Sequence, residues 1–170
     1  MFSQMFWIYL LGLDNAGKSS LIYFLQNGTF LKTDRTLGYS FHKFQISNKL
    51  VTFMDFGGQK SFRRNWLEQE TWGYARKKAS EKTSAVVYVI DPIDDRYEEN
   101  KEYYDAIAEK FAVPELIVFS KMDLIDGIEA VALLEKVGIP TTIPFELTSS
   151  KTGKNVQKSF EHLIETKFSE

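Results

Sequence analysis

The sequence predicts an α/β fold with a mostly parallel six-stranded sheet, one antiparallel edge strand and helices on both faces. Short apolar segments alternate with helical patterns along the chain, as in proteins whose helices connect parallel strands. Residues 85–90 form a continuous apolar run, which is typical of a central strand buried on both faces. Residues 39–54 resemble two strands joined by a polar turn at residues 47–49, which would add the antiparallel edge.

Apolar periodicity and helix-ending residues place the individual elements. Asn27 and Gly28 end the first helix, Asp91 ends the fourth strand, and Gly138 ends the fourth helix. The predicted strands span residues 6–11, 39–46, 50–54, 85–90, 116–119 and 142–147. The predicted helices span residues 17–26, 60–82 (interrupted by Gly73), 95–111, 129–137 and 155–168. Since the 170 residues contain no repeat and no linker, we expect a single domain over residues 1–170.

Composition argues against several classes of function. A net charge of −2 provides no basic field that would attract nucleic acid. The absence of cysteine excludes disulfides, thiolate metal sites and lipidation at cysteine. No apolar run approaches the ~20 residues of a membrane span. Residues 1–5 have none of the features of a signal peptide, and Phe2 stands where myristoylation requires glycine. We therefore expect a cytoplasmic monomer that binds no nucleic acid and has no direct lipid anchor.

Residues 12–19 carry the clearest chemical signal in the sequence. They spell Gly-Leu-Asp-Asn-Ala-Gly-Lys-Ser, the pattern G-x-x-x-x-G-K-S, between a predicted strand and a predicted helix. Glycines let the backbone curl around a phosphate, so that successive N–H groups and the helix N-terminus face it. Lys18 is expected to reach the β- and γ-phosphates, and the Ser19 hydroxyl is expected to bind Mg²⁺. The predicted phosphate-binding residues are Asp14, Asn15, Ala16, Gly17, Lys18, Ser19 and Ser20.

Two further segments complete the predicted phosphate and magnesium site. Asp55 follows the third strand and is expected to hold Mg²⁺ through water. Gly58 can offer its backbone N–H to a γ-phosphate, and the amide of Gln59 can orient an attacking water. Thr36, in a polar loop, can add its hydroxyl to the Mg²⁺ shell and its N–H to the γ-phosphate, which would make the loop a switch. Lys18, Thr36 and Gln59 are the predicted catalytic residues.

Base recognition is predicted in the loops after the fifth and sixth strands. Asp123 can accept hydrogen bonds from the ring N–H and the exocyclic amine of guanine, whereas adenine would leave this carboxylate unpaired. The aliphatic part of Lys121 can lie along the plane of the base. Residues 149–151 can place a backbone N–H on the guanine carbonyl oxygen. The predicted base-binding residues are Ser120, Lys121, Asp123, Ser149, Ser150 and Lys151.

Together these segments resemble the Ras-type small GTPases, and within them the Arf/Arl (ADP-ribosylation-factor-like) family. The resemblance is carried by residues 12–19, by Thr-Leu-Gly-Tyr at 36–39, by Gly-Gly-Gln at 57–59, and by Arg63 and Trp66. It implies a P-loop NTPase small G-domain that binds GTP and GDP with Mg²⁺ and hydrolyses GTP slowly. It also implies an exchange factor, an activating protein, effectors, a role in membrane traffic or a related assembly, and a hairpin between the switches that can change register.

The sequence departs from this family pattern at four places. The residues before the first strand are too few for the membrane-binding helix of most Arf proteins, so we expect a protein partner to recruit the chain to any membrane. Ser120 replaces the usual Asn and reaches less far toward a base, so weaker guanine binding is expected. The segment between Gln59 and Ala85 is longer than usual, and its basic stretch, residues 76–82, is interpreted as a solvated helix face, or else as a partner or lipid contact. Only Tyr39 can be matched to the three aromatics of an Arf-like effector surface.

Two alternatives to a GTPase switch remain open from the residues. A non-hydrolysing nucleotide-binding subunit is favoured by Ser120 and disfavoured by Gln59. A P-loop ATPase or kinase is disfavoured by Asp123 and residues 149–151. Because we assign no arginine of the chain to the site, we expect fast hydrolysis to require an arginine from an activating protein, worth about 10³–10⁵ in rate.

Overall fold

The computed structural model describes residues 5–68, 73, 77–78, 81–126 and 128–169. Its strands are β1 (Phe6–Leu11), β2 (Tyr39–Ile46), β3 (Lys49–Phe56), β4 (Ser84–Ile90), β5 (Leu116–Phe119) and β6 (Phe145–Leu147). The helices of the described residues are α1 (Lys18–Asn27), α2 (Lys60–Glu68), α3 (Tyr97–Lys110), α4 (Ala130–Val137) and α5 (Val156–Lys167).

The six strands form one sheet in the order β2-β3-β1-β4-β5-β6. All neighbouring strands are parallel except β2 and β3, which pair antiparallel from Tyr39 opposite Phe56 to Ile46 opposite Lys49. Ser47 and Asn48 make the hairpin turn with positive φ angles of 47° and 61°. The predicted fold class is therefore confirmed, including its antiparallel edge strand.

Alternating side chains along the strands build a core on each face of the sheet. On β1, Ile8 and Leu10 face a core that includes Leu21 of α1 and Phe160 of α5. Tyr9, in contrast, faces the other core. That second core contains apolar side chains of α2, α3 and α4, among them Trp66, Tyr103, Tyr104, Ile107, Leu133 and Leu134. Helices thus cover both faces, as the continuous apolar character of β4 predicts.

Several predicted boundaries change in the structure. Strand β3 continues through Asp55 and Phe56, because Asp55 pairs with Leu10 on one side and with Ser40 on the other. The predicted position of Asp55 after the strand is therefore wrong. Strand β6 begins at Phe145 rather than at 142, since residues 141–143 form turns.

Two predicted helices also change. The Asp94 carboxylate accepts the backbone N–H of Arg96, so α3 begins at Tyr97 rather than at 95. Of the predicted helix 60–82, α2 ends at Glu68, and most of the remainder, with most of the basic stretch 76–82, lies outside the described residues.

Candidate functional site

The carboxyl ends of the parallel strands surround a cavity of about 520 Å³. Its walls come from the loop between β1 and α1, the loop before β2, the turn after β3 and the loops after β5 and β6. The predicted site residues that line it are Asp14, Asn15, Ala16, Gly17, Lys18, Ser19, Ser20, Thr36, Gly58, Gln59, Ser120, Lys121, Asp123, Ser150 and Lys151. Of the remaining predicted residues, Asp55 lies buried behind this lining and Ser149 contacts Asp123. The fold thus brings the dispersed motifs to one place, as expected for the end of a parallel sheet.

The loop between β1 and α1 is shaped by backbone that only glycine tolerates easily. Gly12 has a φ of +146°, and a Cβ atom there would lie 2.3 Å from the carbonyl oxygen of Val89. Gly17 caps α1 in the left-handed region with a φ of 95°. These two glycines curl residues 13–16 across the start of α1, so the helix N-terminus opens directly onto the cavity.

Lys18 supplies a buried cation beneath this loop. Its Nζ atom donates to the carbonyl oxygens of Gly12, at 3.0 Å, and Leu13, at 2.7 Å. Burial lowers the pKa of Lys18 to about 8, against the opposing charges of Asp55 and Asp14. A buried ammonium in a low-dielectric wall is a strong partner for an anion in the cavity.

The three predicted magnesium ligands lie in direct contact. The Ser19 hydroxyl donates to Asp55 Oδ2, and the Thr36 hydroxyl donates to the same oxygen at 3.0 Å. The Ser19 and Thr36 hydroxyl oxygens are 2.9 Å apart. Three segments that are distant in sequence therefore converge on one carboxylate oxygen at the base of the cavity.

This cluster fits a magnesium ion. The other carboxylate oxygen, Asp55 Oδ1, is buried and has no hydrogen-bond partner among the described residues. A buried carboxylate oxygen without a partner is costly, and a cation or its water shell would satisfy it. Hydroxyl and carboxylate oxygens are also the hard ligands that Mg²⁺ prefers.

The turn after β3 packs directly on the phosphate loop. The Gly58 carbonyl accepts the backbone N–H of Asp14 at 3.0 Å and the guanidinium Nε of Arg63 at 2.7 Å. Arg63 is itself buried, and its guanidinium forms an ion pair with Glu99 of α3. Gln59 follows at the cavity wall, and its carbonyl accepts the N–H of Arg63 at 2.9 Å, which begins α2.

At the opposite end of the cavity, Asp123 is held in a fixed orientation. The Ser149 hydroxyl donates to Asp123 Oδ1 at 2.5 Å, and the Nζ atom of Lys151 lies 4.0 Å from Asp123 Oδ2. Ser149 therefore supports the carboxylate rather than lining the cavity. The Asp123 side chain is 14% exposed, so its edge remains open to a ligand.

Ser120 and Lys121 connect this end of the cavity to the phosphate loop. The buried Ser120 hydroxyl donates to the carbonyl of Ala16 at 2.5 Å, which ties the loop after β5 to the phosphate loop. The Lys121 Nζ atom donates to the Asn15 carbonyl and to the Asp91 carboxylate, both at 2.6 Å. The stem of Lys121 thus bridges the loop after β5 and the phosphate loop.

Two groups of residues around the cavity were not predicted from the sequence. Phe30 and residues 32–35 line it, although only Thr36 was selected from that polar loop. Arg96 lies outside the lining but donates to the side chain and carbonyl of Asp14. The signal that could have identified Arg96 is its place in the sequence, just beyond the carboxyl end of the central strand β4.

This sheet, with a phosphate loop after its first strand, defines a P-loop protein of the small GTPase type. The sequence model of the ADP-ribosylation factor family matches residues 1–167, and the chain belongs to that family. Members of the family are small GTPases, so the protein is a GTP-binding switch and a GTP hydrolase. This confirms the small-GTPase interpretation over the ATPase or kinase alternative.

Individual relatives agree with the family match. The chain is 33% identical to human ADP-ribosylation factor-like protein 4A, over 94% of this chain and 82% of that protein. It is 34% identical to ADP-ribosylation factor 3 of Arabidopsis thaliana, over 79% of this chain and 74% of the relative. Among solved structures, the Arl6 BBS3 small GTPase of Trypanosoma brucei matches with a TM-score of 0.73 and 24% identity, covering 97% of this chain and 98% of the other. That last likeness supports the fold.

Within the part of the chain that the structure describes, no helix is both long and apolar enough to cross a bilayer.

Proposed function

We propose that this protein is a magnesium-dependent switch specific for guanine nucleotides, with the cavity as its nucleotide site. The observation that carries the proposal is the convergence of Ser19 and Thr36 on Asp55, beside the buried Lys18. Ser19, Thr36 and, through water, Asp55 would hold the ion. When bound there, Mg²⁺ would neutralise charge on the β- and γ-phosphates.

The triphosphate would bind along the phosphate loop. Residues 14–20 line the cavity, and α1 begins there at Lys18, so the backbone N–H groups of its first turn would suit an anion. Lys18 would exchange its carbonyl partners in the loop for phosphate oxygens, since its Nζ atom now contacts Gly12 and Leu13.

Hydrolysis would take place beside Gly58 and Gln59. The Gln59 amide would orient water toward the γ-phosphate, and the Gly58 N–H would bind an oxygen of that group. In the structure the Gly58 carbonyl accepts hydrogen bonds from Asp14 and Arg63. The Gly58 peptide would have to leave this arrangement when GTP binds. Fast turnover would require an activating protein that supplies an arginine.

Guanine selection is proposed at Asp123. Its carboxylate, held by Ser149, can accept two hydrogen bonds from the guanine edge, and Lys121 can cover one face of the base. Ser150 and Lys151, at the cavity wall, would offer backbone N–H groups to the carbonyl of the base.

Switching would be sensed by partner proteins at the loop that carries Thr36. Leu37, Tyr39 and Phe41 expose 81%, 48% and 53% of their surface immediately after Thr36, and apolar groups of this kind suit a protein interface. An exchange factor, an activating protein and effectors are proposed on this basis and from the family. Membrane traffic or a related assembly is the proposed process, with a protein partner recruiting a cytoplasmic chain.

The magnesium step is tested with Asp55→Asn, which keeps the shape of the side chain and removes its charge. We expect wild-type protein to release a fluorescent GDP analogue at least tenfold faster when EDTA removes Mg²⁺, and Asp55→Asn to lose this difference. Asp105→Asn, an exposed carboxylate on α3, is the matched control and should behave as wild type. Equal magnesium effects in wild type and Asp55→Asn would contradict the proposed site.

The hydrolysis step is tested with Gln59→Leu. This variant should retain GTP binding and lose most multiple-turnover hydrolysis, because an apolar side chain cannot orient water. Wild-type turnover by Gln59→Leu would exclude Gln59 as the positioning residue.

A further inference from the structure

Arg96, just before α3, makes a set of contacts that the proposed chemistry does not use. Its Nη1 atom donates to Asp14 Oδ1 at 2.7 Å, and its Nη2 atom donates to the Asp14 carbonyl at 3.1 Å. On its other side, Nε donates to both carboxylate oxygens of Asp94, at 2.9 and 3.0 Å, and Nη2 donates to Asp94 Oδ2 at 2.5 Å. The guanidinium is therefore fixed between one carboxylate of its own loop and one of the phosphate loop.

The charge of the Asp14 carboxylate would repel a phosphate bound in the same cavity. Asp14 lines the cavity between Leu13 and Asn15. Its backbone N–H binds the carbonyl of Gly58, which places it on the side of the loop that faces the turn carrying Gln59. Under the proposed function, this is the side where the γ-phosphate would bind.

The Asp14 carboxylate is ionised and needs a counter-charge. Burial by itself raises the pKa of Asp14, but the hydrogen bond and charge of Arg96, together with the charge of Arg35, lower it below its ordinary value. The pKa of Arg96 is raised, chiefly by its hydrogen bond to Asp94. The side chains of Arg96 and Asp14 are 34% and 22% exposed, so the pair lies at the edge of the cavity, where water screens it only in part.

We infer that Arg96 is a positioning residue for GTP: it draws the Asp14 carboxylate aside and neutralises it, so that a γ-phosphate can occupy the adjacent part of the cavity. This inference depends on the proposed function. Arg96 would act through Asp14 and would not itself touch the nucleotide. Because GDP lacks the phosphate nearest to Asp14, Arg96 would strengthen the binding of GTP more than the binding of GDP. It would therefore set the relative affinity of the switch for the two nucleotides.

The test compares the binding of fluorescent GDP and of a fluorescent non-hydrolysable GTP analogue, both with Mg²⁺. Arg96→Ala is expected to weaken binding of the GTP analogue about tenfold and binding of GDP less than threefold. The double variant Asp14→Asn with Arg96→Ala should bind the GTP analogue within about threefold of wild type, because the charge to be neutralised is gone. Lys101→Ala removes an exposed ion pair with Asp105 on the same helix and serves as the matched control.

The double variant distinguishes charge compensation from a merely structural role. If Arg96 only supported the fold of the loop, removing its partner would not restore binding, and both nucleotides would bind more weakly by the same factor. Either result would overturn the inference. Arg96→Gln, which keeps the size of the side chain and removes the charge, provides the same comparison if Arg96→Ala does not fold.

Failure of the two proposals can be told apart. If wild-type protein binds neither nucleotide, the proposed function is wrong, and this inference is wrong with it. If wild type binds both nucleotides and Arg96→Ala binds each of them as tightly as wild type does, only the inference about Arg96 is wrong.

Discussion

Gly58 lies so close to the phosphate loop that a single methyl group should separate the two segments. A Cβ atom at this position would lie 2.2 Å from the Asp14 nitrogen, 2.2 Å from the Leu13 carbonyl carbon and 2.5 Å from the Gly12 oxygen. All three are backbone atoms, which cannot rotate away as a side chain would. In Gly58→Ala, therefore, the turn after β3 has to move off the loop.

The cost of this movement follows from the bonds it breaks. The Gly58 carbonyl would lose the Asp14 N–H at 3.0 Å and the Arg63 Nε at 2.7 Å. A backbone hydrogen bond contributes about 1 kcal/mol net, and one from a buried charged donor contributes about 1.5–3 kcal/mol. We therefore expect Gly58→Ala to lower the free energy of unfolding by about 2.5–4 kcal/mol.

Urea unfolding monitored by circular dichroism measures this change, with Gly73→Ala as the matched control. An added methyl at Gly73 meets no atom of the described residues within 4 Å, so this variant should be neutral or slightly more stable, by up to about 1 kcal/mol. Displacement of the turn should also misplace Gln59 and lower the rate of GTP hydrolysis. A loss of stability below about 1 kcal/mol in Gly58→Ala would refute the reasoning, since the loop and the turn could then separate without breaking both bonds.

Three further predictions follow from individual residues. Asp123→Ala should weaken GDP binding by about 1–3 kcal/mol or more while leaving the weak binding of ADP unchanged; equal affinity of wild type for ATP and GTP would exclude guanine selection by Asp123. Ser120→Asn should slow GDP release in stopped-flow measurements, because the longer amide can reach both the phosphate loop and the base; unchanged or faster release would show that Ser120 is not a weakened contact. Burial raises the pKa of Tyr103 above its ordinary value of 10.0. Its contribution to stability should therefore be complete below pH 10 and be lost as the pH rises further, by up to about 1.4 kcal/mol per pH unit. Urea unfolding between pH 8 and 11 should show a shallower alkaline loss in Tyr103→Phe, and identical slopes would contradict this assignment.

Local signals in the sequence were sufficient for the fold class and for the phosphate loop. The bounds of β1, β2 and β5 agree with those predicted from apolar patterns, since burial of alternate or successive side chains is a property of each segment alone. Gly12 and Gly17 could be identified as loop residues because their backbone conformations exclude most other residues wherever the pattern occurs. The later motifs fall in loops that follow predicted strands, and the structure brings these loops together at the carboxyl end of the sheet.

Only the tertiary structure decided which side chains meet. Asp55 lies inside β3 rather than after it because strands on both sides supply its partners, and a single segment does not reveal those partners. Asp55 contacts Ser19 across a separation of 36 positions in the chain, and Thr36 across a separation of 19. Arg96 contacts Asp14 across 82 positions, and Ser149 holds Asp123 across 26. Local periodicity determines which face of an element is buried, whereas contacts of this kind depend on how the elements pack, so they became visible only in the folded chain.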